Sequence, residues 1–222
     1  MKRTAIVTGA SRGIGLAIAQ ALAKAGIRTA LLSRTKPAVP GKFIRCDLND
    51  SAAIPAAVAA ALRHLGGCDY LINNAGVFLE KPVAEMTLED WERIQRVNVT
   101  GMFLVTREVL PVMLKRRQGR ILNIASTASQ QGYLHQAAYV ASKHAMLGFA
   151  RALAIEVKPH NIHVHNLCPG GVDTDLVKGT FLGKRMAGQP MIAPADIAAM
   201  VVFLLNQPDN IDLPELVVRR FV

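Results

Sequence analysis

Short apolar, β-branched runs alternate along this chain with longer segments of helical spacing. Thr4–Thr8 is the first such run. Residues 15–25 carry Ala and Leu at helical intervals and stop at Gly26, a helix-ending residue. Residues 29–33 and 43–46 predict the second and third strands. Residues 51–65 predict an Ala-rich helix capped by Ser51 and ended by Gly66 and Gly67, with Pro55 in its tolerant first turns. Residues 69–73 read as strand four. Thr87, Leu88, Glu89 and Asp90 form a capping segment for a long helix to about Arg117, which Pro111 is expected to kink or split. Strand five follows at residues 120–125, a second long helix at 138–157 and strand six at 162–167. A helix at 194–206, opened by Pro194, and a last strand at 216–218 complete the pattern.

Strand–helix alternation of this kind predicts an α/β fold with a parallel sheet covered by helices on both faces. No repeat, low-complexity tract or linker divides the chain, so residues 1–222 read as a single domain. One connection breaks the rhythm. Only the nine residues 34–42, with two prolines, separate strands two and three. Parallel neighbours normally need a crossover of a dozen or more residues. The helix between strands two and three is therefore expected to be missing.

Composition narrows the class. Hydrophobic residues make up 51% of the 222, enough for a buried core and too many for a disordered chain. Cys46, Cys68 and Cys168 are an odd count without zinc-like spacing, which argues for a reducing compartment and against a disulfide scaffold. The net charge of +10 invites a nucleic-acid or membrane reading. Yet the clusters, Lys115 to Arg117 with Arg120 and Arg219 with Arg220, are short and lack interleaved aromatics. The first suits a helix C-terminus, where cations complement the dipole. Nucleic acid is not expected as a partner. No uninterrupted apolar run reaches the roughly 18 residues of a membrane span. Gly9, Ser11, Arg12 and Gly13 interrupt the apolar stretch that would make the N-terminus a signal peptide. A cytoplasmic protein is expected, with no membrane association.

Thr8-Gly9-Ala10-Ser11-Arg12-Gly13-Ile14-Gly15 follows the first strand and opens the first helix. Its glycines permit a tight turn and close approach of backbone to a ligand. The helix N-terminus offers free N–H groups to a pyrophosphate. The Gly-x-x-x-Gly-x-Gly spacing, with Asn73-Asn74-Ala75-Gly76, Asn98, Ser126, Tyr139-x-x-x-Lys143 and Pro169-Gly170, resembles the short-chain dehydrogenase/reductase family. The chain is most similar to its NADP-preferring members, among them 3-oxoacyl-carrier-protein reductases and related carbonyl reductases. The resemblance implies a Rossmann-type doubly wound parallel sheet of about seven strands and a hydride-transferring oxidoreductase.

An NAD site usually presents an acid after strand two for the ribose 2′-OH. Here Ser33-Arg34 occupies that place. A guanidinium binds a 2′-phosphate that a carboxylate would repel. Arg12 is the second basic group that similar NADP-preferring proteins use, so NADP(H) is expected over NAD(H). The resemblance places Asp47 and Leu48 at the adenine, although Asp47 could equally be a turn residue. It places Gly9, Ser11, Arg12, Gly13, Ile14 and Gly15 at the phosphates, and Asn74, Ala75 and Gly76 along the cofactor. Pro169, Gly170, Val172 and Thr174 would lie beside the nicotinamide.

Tyr139 and Lys143 are four residues apart near a helix start and so share a face. The ammonium and the helix N-terminus are expected to lower the phenol's pKa toward working pH. The resemblance gives Lys143 a second role on the nicotinamide ribose. Ser126 ends strand five and could polarise the substrate oxygen. The resemblance implies that the backbone carbonyl of Asn98 holds a water in a proton relay to Lys143. The substrate, a small or carrier-borne carbonyl compound, should lie between residues 130–136 and a short lid at about 174–192. Tyr133, Leu134, Leu176, Phe181, Leu182 and Met186 would supply partly apolar walls. His163 and His165, on one face of strand six, are expected to pack or face solvent rather than bind metal. Relatives suggest a homodimer or homotetramer through the two long helices. A non-catalytic NADP sensor or nucleic-acid-binding protein on the same fold is the competing reading.

Overall fold

A computed structural model of the chain describes residues 2–221. Seven parallel strands form one sheet in the order β3-β2-β1-β4-β5-β6-β7. They are β1 (Thr4–Thr8), β2 (Arg28–Ser33), β3 (Lys42–Arg45), β4 (Tyr70–Asn73), β5 (Gly119–Ile124), β6 (Ile162–Pro169) and β7 (Glu215–Val218). The central strands β1, β4 and β5 are buried along their whole length. Continuous apolar runs such as Ala5-Ile6-Val7 follow from that two-sided burial.

Helices α1 (Gly13–Lys24) and α7 (Pro194–Leu205) cover one face, where Ile18, Leu22, Ile197 and Val201 pack on Val7, Leu31 and Ile72. Helices α2 (Ile54–Leu65), α4 (Met102–Arg116) and α5 (Ala137–Val157) cover the other, through Val58, Val109, Met113 and Leu153. No helix joins β2 to β3, as expected. The link at residues 34–41 takes its place, and Val39 packs on the same cluster as Leu31. A Cβ at Gly41 would overlap the Leu31 side chain.

The structure differs from the sequence pattern at three places. Helix α2 starts at Ile54, not Ser51, because the Asp50 carboxylate accepts the N–H groups of Ala52 and Ala53 and turns the chain first. Pro111 lies inside α4, which continues through it. The predicted long helix is interrupted earlier, by a π-turn at Arg96–Gly101 between α3 (Leu88–Gln95) and α4. The capping box at its start is present, with Thr87 and Asp90 exchanging bonds. Last, a short helix, α6 (Phe181–Met186), forms within the lid.

The combined stretch Leu88–Arg116 reaches the length and mean hydropathy of a membrane span, but half of its most apolar window is buried in the fold. It also carries Arg107 and Glu108, paired at 2.6 Å. The basic cluster after α4 is largely used internally: Arg116 contacts Asp69 at 3.1 Å and Arg117 donates to the Pro159 carbonyl at 2.7 Å. His163 and His165 stack with ring centroids 5.9 Å apart, His165 being fully buried. Cys46, Cys68 and Cys168 are free and buried, and burial pushes their thiols up to about 11, 12 and 11.

Candidate active site

The strand order reverses direction between β1 and β4, and such a switch point opens a crevice at the strands' C-terminal ends. The Gly-rich turn follows β1 there, and residues 74–76 follow β4. Gly9 and Gly13 adopt φ of +67° and +54°, a backbone region that costs other residues energy. A Cβ on Gly15 would overlap the Gly9 carbonyl and the Asn74 amide. The Asn74 side chain ties the turn down, donating to the carbonyls of Thr8 at 2.9 Å and Gly9 at 3.2 Å. The Thr8 hydroxyl accepts from the N–H groups of Asn74 and Ala75 at 3.0 and 3.1 Å. Thr8 thus clips the two loops together, a task its place in the motif does not announce.

Helix α1 has no side-chain cap and no acid in its first turn. Its leading N–H groups therefore remain available, and with the dipole they suit an anionic pyrophosphate. Arg34 is exposed beyond the end of β2, whereas the Ser33 hydroxyl is used locally, donating to the Thr35 carbonyl at 2.7 Å. Asp47 accepts from the Asn49 N–H at 3.0 Å, so it shapes a turn while also lining the crevice.

From this crevice a continuous cavity of about 820 Å³ runs to the lid. Every residue expected at the cofactor lines it, as do Ser126, Tyr139 and Lys143. Asn98 does not; it is fully buried behind the wall. Its side-chain oxygen accepts from the Val77 N–H at 2.8 Å, and its amide donates to the Val77 carbonyl at 2.9 Å and Ser142 Oγ at 3.0 Å. Ser142 in turn donates to the Tyr139 carbonyl at 2.7 Å. The π-turn therefore braces the loop after β4 against the start of α5.

Tyr139 is buried, its ring edge-on to Phe78 with centroids 5.0 Å apart. Burial pushes its phenol up to about 12, against a smaller downward pull from the Ser126 hydroxyl. This corrects the expectation of a phenol activated in the free protein. Lys143 Nζ donates to the Ile124 carbonyl at 2.9 Å and lies 5.8 Å from the Tyr139 ring centre. Burial pulls its ammonium down to about 8. The Ser126 hydroxyl accepts from the Ala128 N–H at 3.1 Å, which orients it at the strand end. Ser129, the next serine along the chain, is buried outside the cavity.

On the substrate side, Tyr133, Leu176, Leu182 and Met186 line the cavity as expected. Leu134 and Phe181 do not; they are 65% and 60% exposed. Phe78, Arg185, Gln189, Arg219 and Arg220 line it without having been anticipated. Phe78 sits in an unpatterned loop, and nothing local in the sequence ties Arg185, Arg219 or Arg220 to a cavity.

Residues 3–184 match the family model described as short chain dehydrogenase. The chain is 35% identical over 219 residues to a 3-oxoacyl-acyl-carrier-protein reductase of Vibrio cholerae, covering 92% of this chain and 90% of that protein. Identity to the corresponding reductase of Mycobacterium tuberculosis is 34% over 218 residues, covering 93% and 87%. Among solved structures, an actinorhodin polyketide ketoreductase with NADPH superimposes with a TM-score of 0.87 at 33% identity, covering 98% of this chain and 95% of that one. An aldohexose dehydrogenase of Thermoplasma acidophilum gives 0.91 at 28% identity, covering 98% and 92%. With the uncapped phosphate turn, the helix-free link after β2 and the matched residues all in one chain, this protein belongs to the short-chain dehydrogenase/reductase family.

Proposed function

We propose that the protein uses NADPH to reduce the keto group of a small or carrier-borne substrate, a 3-oxoacyl thioester being the leading candidate. The observation that carries this reading is the single cavity joining Arg34 at one end to Ser126, Tyr139 and Lys143 in the middle and a partly apolar lid at the other. Its volume suits a dinucleotide's reactive end together with a substrate.

The chain fits the cofactor. The uncapped α1 N-terminus would take the pyrophosphate, Arg12 and Arg34 the 2′-phosphate, and Asp47 with Leu48 the adenine. Residues 74–76 would line the ribose, and Pro169, Gly170, Val172 and Thr174 the nicotinamide. When bound, NADPH supplies the hydride. Ser126 holds the substrate oxygen, where negative charge grows in the transition state. Tyr139 donates the proton to that oxygen. A phenol held near 12 stays protonated at neutral pH, as the donor role requires. Lys143 supports the departing proton with its charge and holds the nicotinamide ribose. A water held by the Asn98 backbone carbonyl would resupply the proton through Lys143.

Screening a 3-oxoacyl thioester, a simple ketone, an aromatic aldehyde and an aldose with NADPH, and with NADH in parallel, tests the proposal. NADPH-dependent reduction of the thioester is expected. Absence of turnover on every carbonyl and alcohol, with salt-sensitive nucleic-acid binding instead, would favour the non-catalytic reading.

Cofactor choice gives a sharper check. Arg34→Asp removes a charge-assisted contact worth roughly 1.5–3 kcal/mol and adds repulsion. The kcat/KM ratio of NADPH to NADH should fall by about 100-fold or more. An unchanged ratio in steady-state kinetics would remove Arg34 from the 2′-phosphate site.

Subunit association fits the same picture. The outer faces of α4 and α5 expose Phe103 at 40% and Ile155 at 78%, and we assign them to a homodimer or homotetramer contact. Three buried free thiols support a cytoplasmic setting.

A further inference from the structure

The lid, residues 174–192, contains no buried residue. Apolar burial therefore contributes little to holding it, and its position depends on a few polar ties. Its roots are fixed by backbone bonds, Ile192 N–H to Gly171 O at 3.0 Å and Asp173 N–H to Ile192 O at 2.9 Å. Between those roots, among the described residues, two side chains from outside the lid hydrogen-bond to it. The Glu80 carboxylate, in the loop after β4, accepts from the Leu182 N–H at 2.8 Å. Arg220, just past β7, donates through Nη1 to Gln189 Oε1 at 2.8 Å and to the Pro190 carbonyl at 3.3 Å.

Arg220 also lies against the lid's root. A Cβ on Gly171 would meet Arg220 Cδ and Nε at 2.6 Å, so the bare glycine is what lets the side chain cross there. Strand β7 delivers Arg220 to this point, because the Gly170 N–H bonds the Val218 carbonyl at 2.9 Å. The side chain thus touches the turn after β6, the returning arm of the lid and the cavity wall together. Its acceptors are neutral, so its placement serves geometry rather than an ion pair.

We propose that Arg220 is a positioning residue that latches the substrate lid from the C-terminal end of the chain, opposite a second latch at Glu80. Releasing either latch lets the lid open more often, which shortens substrate residence without altering the proton-donating groups.

The lid contains its own reporters, since Lys178, Lys184 and Arg185 are exposed sites for trypsin. In Arg220→Ala, cleavage at these three positions under native conditions should accelerate about three- to ten-fold, the value of one modest hydrogen-bonded contact. The melting temperature should stay near wild type. The KM for acetoacetyl-coenzyme A should rise by a similar factor with the NADPH dissociation constant unchanged, and Arg220→Lys should recover part of the loss. Gln189→Ala removes the acceptor from an exposed position and should reproduce much of the effect. Unchanged lid cleavage in both Arg220→Ala and Gln189→Ala would overturn the proposal. The KM arm rests on the reductase reading, whereas the proteolysis arm does not. Faster cleavage in a protein that reduces no carbonyl would leave the latch standing and remove the function.

Discussion

Tyr139→Phe is expected to lower kcat for carbonyl reduction by about 100- to 10,000-fold, the usual contribution of a placed general acid. The substitution deletes one oxygen and little else. The ring keeps its edge-on contact with Phe78, and α5 keeps its position through Ser142 and Asn98. NADPH affinity, followed by fluorescence titration, should change little, because the phosphate turn and Arg34 are untouched. Near-normal turnover in a variant that binds NADPH would remove Tyr139 as the proton donor.

Lys143→Met should separate activity from stability. The ammonium is 4% exposed, and burial pulls it from 10.5 to about 8. Between those values the unfolded chain binds the proton more tightly than the folded one, so stability rises with pH across that window. At neutral pH the protonated group opposes folding by roughly 3 kcal/mol, reckoned at about 1.4 kcal/mol per unit. Methionine has a similar length without the charge. Its variant should melt a few degrees above wild type in scanning calorimetry and lose about 100-fold or more in kcat/KM. In wild type, reduction should decline as pH rises through about 8, where Lys143 gives up its proton and Tyr139 is still protonated. A variant that keeps full activity, or a flat profile through that range, would remove Lys143 from the reaction.

The sheet was legible because its signals are local. A buried parallel strand must be apolar throughout, and a nine-residue link cannot hold a crossover helix. The glycine-rich turn was legible because a Cβ at Gly9 or Gly15 would overlap neighbouring backbone, and glycine takes the positive φ of Gly9 and Gly13 without strain. The supports around the reacting groups were not. The π-turn depends on Asn98 meeting Val77 and Ser142, partners 21 and 44 residues away. Asn73, Asn123 and Asn166 lie in register on β4, β5 and β6 and join their amides at 3.0 Å across the sheet. Single asparagines in strands carry no pattern that announces such a ladder. The phenol's raised pKa is not legible in the spacing, which shows a neighbouring lysine and not the depth of burial that pushes the phenol up. Arg220 read as surface charge because nothing local shows that β7 ends beside the lid.

The helix-free link after β2 has an energetic consequence. Arg34 stands at the inner end of an eight-residue stretch whose backbone, between Ser33 and Lys42, lies outside any regular ladder. Beyond it, β3 pairs with β2 on one side only. The proposed grip of Arg34 on a 2′-phosphate thus belongs to the margin of the sheet, where amide protons exchange soonest and ordering costs the most entropy. Engaging a 2′-phosphate there would fasten that margin to the interior, and selectivity for the phosphorylated dinucleotide and the firmness of the sheet's outer edge would then be one thermodynamic quantity.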